Sequence, residues 1–208
     1  MDDPQTFWNA MYAGEDLLYG EHPSAFFASR LAALPPGRML LPAEGEGRHA
    51  VHAARCGWQV DAFDQSDVAV AKALRLAGKA GVSINMRVAD FGAPGLDDSV
   101  YDLAALLWSH APPSVRSAGH AAVVRSLRPG GWLLVECFDV SHVELGAGFG
   151  PGRRELAYSE DELRRDFAGL EIERLEVVTE RFDHGRHDGE GRVVRCEARR
   201  PLAESTGS

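Results

Sequence analysis

From residue 38 onward, short apolar runs alternate with longer stretches whose apolar positions recur every three to four residues. Arg38–Ala43, Trp58–Phe63, Ile84–Ala89, Tyr101–Leu107 and Trp132–Phe138 are the short runs. Near-continuous apolarity over that length marks strands buried on both faces. Gly47–Cys56, Ser66–Lys79 and Pro113–Leu127 read as helices. Ser66 is placed to cap its helix, Gly57 and Gly81 close the first two, and a proline sits in the first turn of the third. Strands separated by helices of this length imply right-handed βαβ crossovers and a parallel sheet covered on both faces.

The two ends of the chain depart from this rhythm. Residues 1–37 read as a helical lead-in. Phe7, Trp8, Met11 and Tyr12 share one helical face, and Tyr19-Gly20-Glu21-His22-Pro23 makes a turn. Ser24 then caps a helix carrying Phe26, Phe27, Leu31 and Leu34, which Pro35-Pro36-Gly37 stops. Near the other end, Ser159-Glu160-Asp161-Glu162 is a capping box ahead of Leu163, Phe167 and Leu170. Ile172–Phe182 and Arg192–Arg200 are strand-like, with a Gly-, His- and Asp-rich segment from Asp183 to Gly191 between them; this predicts an antiparallel hairpin with a long loop. Residues 203–208 are small and polar and read as a frayed tail. The expected organisation is one domain over 1–208, with a lead-in or lid at 1–37 and a core at 38–202.

Composition narrows the function. The chain is 45 % hydrophobic and 25 % charged, which is ordinary for a globular protein. Its 22 basic and 31 acidic residues leave a net −9, so a general nucleic-acid binder is disfavoured. It has no run of about 18 apolar residues, so no membrane span is expected. Met1-Asp2-Asp3-Pro4 lacks the basic and apolar opening of a signal peptide. Cys56, Cys137 and Cys196 are far apart and odd in number, which points to a reducing cytoplasm rather than a disulfide framework. A metal site is not expected either: His49 and His52 share a helix face, but spacing supplies no third ligand, and His184 and His187 fall in the polar segment of the hairpin.

The strongest local chemistry is in Leu40-Leu41-Pro42-Ala43-Glu44-Gly45-Glu46-Gly47-Arg48-His49-Ala50. A strand ends, a Gly-x-Gly turn follows and a helix begins, so ligand can approach the backbone at Gly45 and Gly47. Asp64, at the end of the next strand, is placed to accept both hydroxyls of a ribose. This is the geometry of a nucleotide-binding fingerprint with a distal acid. Glu44 and Glu46, however, sit where a dinucleotide would place its pyrophosphate, and like charges at close range are costly. A ribose, an adenine and a cationic amino-acid tail fit better, and S-adenosylmethionine has all three.

Five segments in order resemble the class I S-adenosylmethionine-dependent methyltransferases. They are Leu41–Ala50, Val60–Ser66, Ala89-Asp90-Phe91, Tyr101-Asp102-Leu103 and Leu127–Leu133. Tyr19-Gly20-Glu21-His22-Pro23, Gly150-Pro151 and His187-Asp188-Gly189 resemble the branch of TehB-like tellurite-resistance and thiopurine methyltransferase-like proteins. The chain departs from that branch at Pro42-Ala43-Glu44, where many members carry Cys or a small residue before the first Gly. The resemblance implies a Rossmann-like, doubly wound α/β fold of seven mostly parallel strands in the order 3-2-1-4-5-7-6, ending in an antiparallel hairpin. It also implies roles. Glu44 would lie near the cofactor's ammonium, and Gly45, Glu46 and Gly47 along its methionine tail. Asp64 would hold the ribose, Asp90 the adenine amino group, Phe91 and Gln65 the flanks of the ring, and Leu107 and Trp108 the floor under the sulfonium.

The acceptor side is less specified. His110, Tyr19 and His187 are the candidate catalytic residues, with Tyr12, His142 and Arg153 as further candidates. The sulfonium is already a strong leaving group, so a thiol, chalcogen oxyanion or other small nucleophile needs little proton chemistry. Leu107-Trp108-Ser109-His110 lacks the Asn/Asp-Pro-Pro-Tyr/Phe pattern that accompanies methylation of nucleic-acid bases. The expected activity is small-molecule methylation by a cytoplasmic monomer or homodimer. An NAD(P)-dependent oxidoreductase and a non-catalytic S-adenosylmethionine-binding protein are the alternatives.

Overall fold

The computed structural model describes residues 3–184 and 186–203; of the expected tail at 203–208, residues 204–208 lie outside the described residues, as does the His184 side chain. Seven strands form one sheet in the order β3-β2-β1-β4-β5-β7-β6. They are β1 Arg38–Pro42, β2 Gln59–Asp64, β3 Asn85–Val88, β4 Tyr101–Leu107, β5 Leu127–Phe138, β6 Glu171–His184 and β7 His187–Arg199. The first five pair in parallel, and β7 runs antiparallel to both β5 and β6. This is the Rossmann-like order expected from the resemblance.

Helices cover both faces, as the doubly apolar strands require. On one face lie α2 Ala25–Ala33, α3 Arg48–Arg55 and α4 Asp67–Ala80. Phe27, Ala50, Val51, Val70 and Ala73 from these helices pack on Met39, Leu41, Leu103 and Ala105 of the sheet. On the other lie α5 Pro113–Ser126 and α7 Glu160–Asp166, with Val123, Leu163 and Phe167 packed on Leu40, Ala104, Leu106 and Leu133. Alternate residues of β1 and β4 thus enter opposite cores, which commits both strands to the middle of the sheet. Each fully buried Leu or Phe there contributes roughly 1.5–3 kcal/mol.

Local signals set the helix ends. Ser24 and Ser66 cap α2 and α4 by accepting the N–H groups of Phe27 and Ala69. Ser159 and Glu162 form the reciprocal capping box of α7. The lead-in supplies α1, Pro4–Met11, which buries none of its residues; Tyr12, just past its end, is buried, while Phe7 stays exposed.

Three elements differ from the sequence expectation. Strand β5 begins at Leu127, because Pro129-Gly130-Gly131 is held in the sheet by Arg200: Gly130 N–H donates to the Arg200 carbonyl and Arg200 N–H to that of Gly131. The hairpin has no long loop, since β6 and β7 pair out to His184↔His187 and leave only residues 185 and 186 between them. Polar residues read as loop, yet an antiparallel ladder needs only backbone groups. A short helix, α6 Val140–Leu145, follows β5 under an Asp139 cap.

Candidate functional site

The carboxyl ends of β1, β2 and β4 meet on one edge of the sheet. After β1 the chain turns at Ala43–Gly47 and enters α3, with Gly45 and Gly47 both in the left-handed region. A Cβ on Gly47 would stand 2.7 Å from that of Ala73, so only glycine lets α3 approach α4 here. A Cβ on Gly45 would stand 2.9 Å from the Tyr12 hydroxyl oxygen, so the lead-in lies directly over the glycine turn.

Asp64 organises the turn from the neighbouring strand. One carboxylate oxygen accepts Gly45 N–H at 2.9 Å and the other accepts Ser66 N–H at 2.9 Å. Each oxygen keeps a further acceptor site. Burial pushes this carboxyl up to about 6, against those two hydrogen bonds and with help from the Glu44 charge. A buried carboxylate at the tip of β2, with acceptor capacity left, suits a pair of ligand hydroxyls.

The glutamates of the turn are engaged within the protein. Gly47 has no side chain to cap α3, and Glu44 does so instead, its Oε1 accepting His49 and Ala50 N–H at 2.9 and 2.8 Å. Negative charge is favourable at that helix end. Glu46 ties the lead-in down: its Oε2 accepts Leu18 N–H at 2.7 Å, and its Oε1 pairs with Lys72 Nζ at 2.7 Å. Lys72 also donates to the Asp16 carbonyl. Both glutamates, expected beside the cofactor, thus also hold the start of α3 and the lead-in.

At the ends of β2 and β3 is a cavity of about 200 Å³, lined by Gln65, Val88, Ala89 and Asp90 from the core and Asp3, Pro4 and Gln5 from the lead-in. Gln65 and Asp90, far apart in sequence, are thus brought together. Asp90 is exposed, and its Oδ1 accepts Gly92 N–H at 2.6 Å. Phe91 departs from the expected arrangement: its ring is buried in the opposite core, edge-on to His120 at 5.9 Å. An apolar ring three residues past the end of β3 gains more from that core than from the cleft rim.

At the end of β4, Leu107 is buried beneath the sheet edge. Trp108 adopts φ +59°, a strained conformation for an aromatic residue, while its N–H donates to the Glu136 carbonyl at 2.8 Å. Its indole N–H is buried without a partner among the described residues. Trp108 begins a ring cluster: it meets Phe138 and Phe182, and Phe138 meets Phe149, His142, His110 and His187. His187 also meets Tyr19 at 5.3 Å, which joins the hairpin to the lead-in over the site.

The histidines differ in state. His110 Nδ1 lies 3.1 Å from the Leu156 carbonyl, so Nδ1 carries the hydrogen and Nε2 a lone pair. Burial lowers its pKa to about 4, and the ring is neutral at pH 7. His142 donates from Nε2 to the Phe149 carbonyl at 2.9 Å and accepts Arg192 N–H at Nδ1, which uses both nitrogens to hold the loop. Tyr19 remains a phenol, its pKa raised by burial. Arg153 lies at the surface in an exposed pair with Glu155. Sequence reasoning missed Phe138, Phe149 and Phe182, because nothing local distinguishes them from core; only the fold gathers residues 108, 138, 149, 182 and 187.

Residues 42–131 match the family model described as a methyltransferase domain. That segment is similar to a methyltransferase domain. The matched segment holds the glycine turn, Asp64, the Gln65–Asp90 wall and Trp108, which are the site elements the core strands present. No curated protein matches the chain in sequence. Solved structures share its fold at low identity. A structure described as the conversion of a disulfide bond into a thioacetal group during echinomycin biosynthesis is 22 % identical, covers 98 % of this chain and 95 % of its own, and superposes with a TM-score of 0.79. TehB from Haemophilus influenzae is 12 % identical over 94 % of this chain and 66 % of its own, with a TM-score of 0.70. Magnesium protoporphyrin IX methyltransferase from Synechocystis PCC 6803, solved with bound SAH, is 19 % identical over 94 % and 97 %, with a TM-score of 0.66. The shared fold extends beyond residues 42–131, over 94–98 % of this chain.

Proposed function

We propose that the chain transfers a methyl group from S-adenosylmethionine to a small-molecule acceptor by in-line displacement. The observation that carries this reading is the Gly45–Gly47 turn with the Asp64 carboxylate as acceptor at the tip of β2, within the segment that matches a methyltransferase domain. The residues present suit the cofactor. The turn at Gly45 and Gly47 leaves no room for side chains, Asp64 keeps acceptor capacity for ribose hydroxyls, and Gln65 and Asp90 line one cavity. S-adenosylmethionine, when bound, supplies an activated methyl group with a built-in leaving group.

The protein's part is to bind, orient and exclude water. Gly45 and Gly47 let the backbone approach the ligand, Asp64 accepts the ribose hydroxyls, and Asp90 accepts from the adenine amino group beside Gln65. Trp108 closes the floor. Its indole N–H and the neutral His110 Nε2 offer one donor and one acceptor on the acceptor side, with Tyr19 and His187 above. Glu44 and Glu46 support the turn rather than the ligand. A positioned acceptor in a desolvated site needs little further catalysis. The domain is read as one unit over 1–208, with 1–37 as its lid, acting in the cytoplasm; no helix among the described residues is long and apolar enough to cross a membrane.

Calorimetry with S-adenosylhomocysteine tests the reading. Saturable binding that Asp64→Ala weakens at least tenfold is the expected result, and no saturation at high micromolar ligand would sink it.

A further inference from the structure

The residues that follow β4 are each tied down from a different place. Trp108 N–H donates to the Glu136 carbonyl of β5 at 2.8 Å. The Ser109 carbonyl accepts the Tyr158 hydroxyl at 2.6 Å. His110 donates from Nδ1 to the Leu156 carbonyl at 3.1 Å, and the Ala111 carbonyl accepts Arg116 Nε at 3.1 Å. The segment needs that restraint. Trp108 has φ +59°, a backbone region costly for an aromatic residue, which persists only where the surroundings over-determine it.

Tyr158 is the contact that apolar packing does not explain. Its ring is fully buried, with the Arg116 guanidinium 4.2 Å from the ring centre and the His120 ring stacked at 5.8 Å. Its backbone is fixed beside β5: its N–H donates to the Phe138 carbonyl at 3.0 Å, and its carbonyl accepts Val140 N–H at 2.8 Å. Phenylalanine would fill the same space, whereas a phenol brings a hydroxyl that must find a partner when buried. The partner here is the peptide that joins Ser109 to His110. That peptide is planar and follows the strained Trp108 by one residue, so fixing its carbonyl fixes how Trp108 and His110 leave the backbone. Arg116 braces the arrangement, lying over the Tyr158 ring and donating to the carbonyls of Ala111 and Glu155.

We propose that Tyr158, braced by Arg116, is a positioning residue for the acceptor side of the cleft: its hydroxyl holds the Ser109–His110 peptide so that the Trp108 indole and the His110 lone pair are presented to the acceptor. The inference rests on reading the cleft as a methyl-transfer site. Tyr158 acts through Ser109. The cofactor side is held separately, by Asp64 on Gly45 and Ser66.

The test is Tyr158→Phe, which keeps the ring and drops the hydroxyl. Ser126→Ala is the control, because Ser126 is also a fully buried hydroxyl, bonded to the Val123 carbonyl. Long-range proton–nitrogen NMR spectra read which nitrogen of His110 carries the hydrogen, a choice set by the ring's hydrogen bonds. His110→Gln and Trp108→Phe identify the signals of those two residues. In Tyr158→Phe, loss of the Nδ1–H form of His110 and a shifted Trp108 indole N–H signal are expected, with neither change in Ser126→Ala. Affinity for S-adenosylhomocysteine, by calorimetry, is expected to stay within about twofold of wild type, since Asp64 shares none of the broken contacts. The proposal is overturned if the His110 and Trp108 signals do not move in Tyr158→Phe. It is equally overturned if Ser126→Ala moves them alike, or if S-adenosylhomocysteine affinity falls about tenfold or more, since the hydroxyl would then support the core or the cleft as a whole. If Tyr158→Phe does not fold, Arg116→Lys, which gives up the flat contact with the ring, is read by the same spectra with the same expectation, and unmoved signals overturn the proposal. Absence of S-adenosylhomocysteine binding by the wild type is a different failure: it removes the cofactor reading, while the spectra still decide whether Tyr158 sets the loop.

Discussion

Asp64 shows how one residue combines structure and chemistry. Its carboxylate joins the tip of β2 to the glycine turn and to the start of α4 through Gly45 and Ser66. The folded-state pKa is raised from 3.8 to about 6. A raised acid favours the folded state at low pH, and that contribution is lost as pH rises through about 6. Ligand binding runs the opposite way, because ribose hydroxyls need the ionised form. Affinity for S-adenosylhomocysteine is therefore expected to be flat above pH 6 and to fall by up to tenfold per pH unit below it, as read by calorimetry from pH 5 to 8. An affinity independent of pH over that range would remove the ribose role. Gly47 gives a second prediction at this scale. Gly47→Ala meets both a left-handed backbone and Ala73 on α4, and is expected to cost roughly 2–4 kcal/mol in urea unfolding.

At the scale of elements, the lead-in is clamped by polar contacts. Glu46 and Lys72 form a buried pair that also holds Leu18 N–H and the Asp16 carbonyl. Removing one partner strands the other charge. Lys72→Met is expected to destabilise by about 3–5 kcal/mol, and Lys72→Met with Glu46→Gln by clearly less. Equal losses in single and double variants would show that the pair is not coupled. The same clamp places Tyr12 over Gly45 and Tyr19 against His187, so cofactor affinity is expected to fall with stability in Lys72→Met.

The whole molecule follows from a sheet with its most apolar strands in the middle. Strand β4 lies between β1 and β5, with Leu103, Ala104, Ala105 and Leu106 at most 1 % exposed. β6 is an edge strand paired only with β7. In native-state hydrogen exchange, the amides of Leu103–Leu107 are expected to exchange only through global unfolding, and the outer edge of β6 far sooner. Comparable protection at both would contradict this gradient.

Much of this was legible along the chain. The strands buried on both faces, the Ser24, Ser66 and Ser159 caps, and the glycine turn with Asp64 all follow from short-range chemistry: periodic apolarity, side-chain acceptors near free helix N–H groups, and glycine where the backbone turns left-handed. Other features depend on what the fold brings alongside. Glu44 and Glu46 stand side by side in sequence, but one caps α3 and the other pairs with Lys72. Phe91 adjoins the ligand wall in sequence and faces the opposite core in space. The hairpin's polar tip forms a ladder because its partner strand is there. The ring cluster around Phe138 joins five segments that share no local pattern. Backbone conformation is set within a few residues and can be read there, whereas pairing, burial and charge compensation are relations between distant residues, which only the tertiary structure decides.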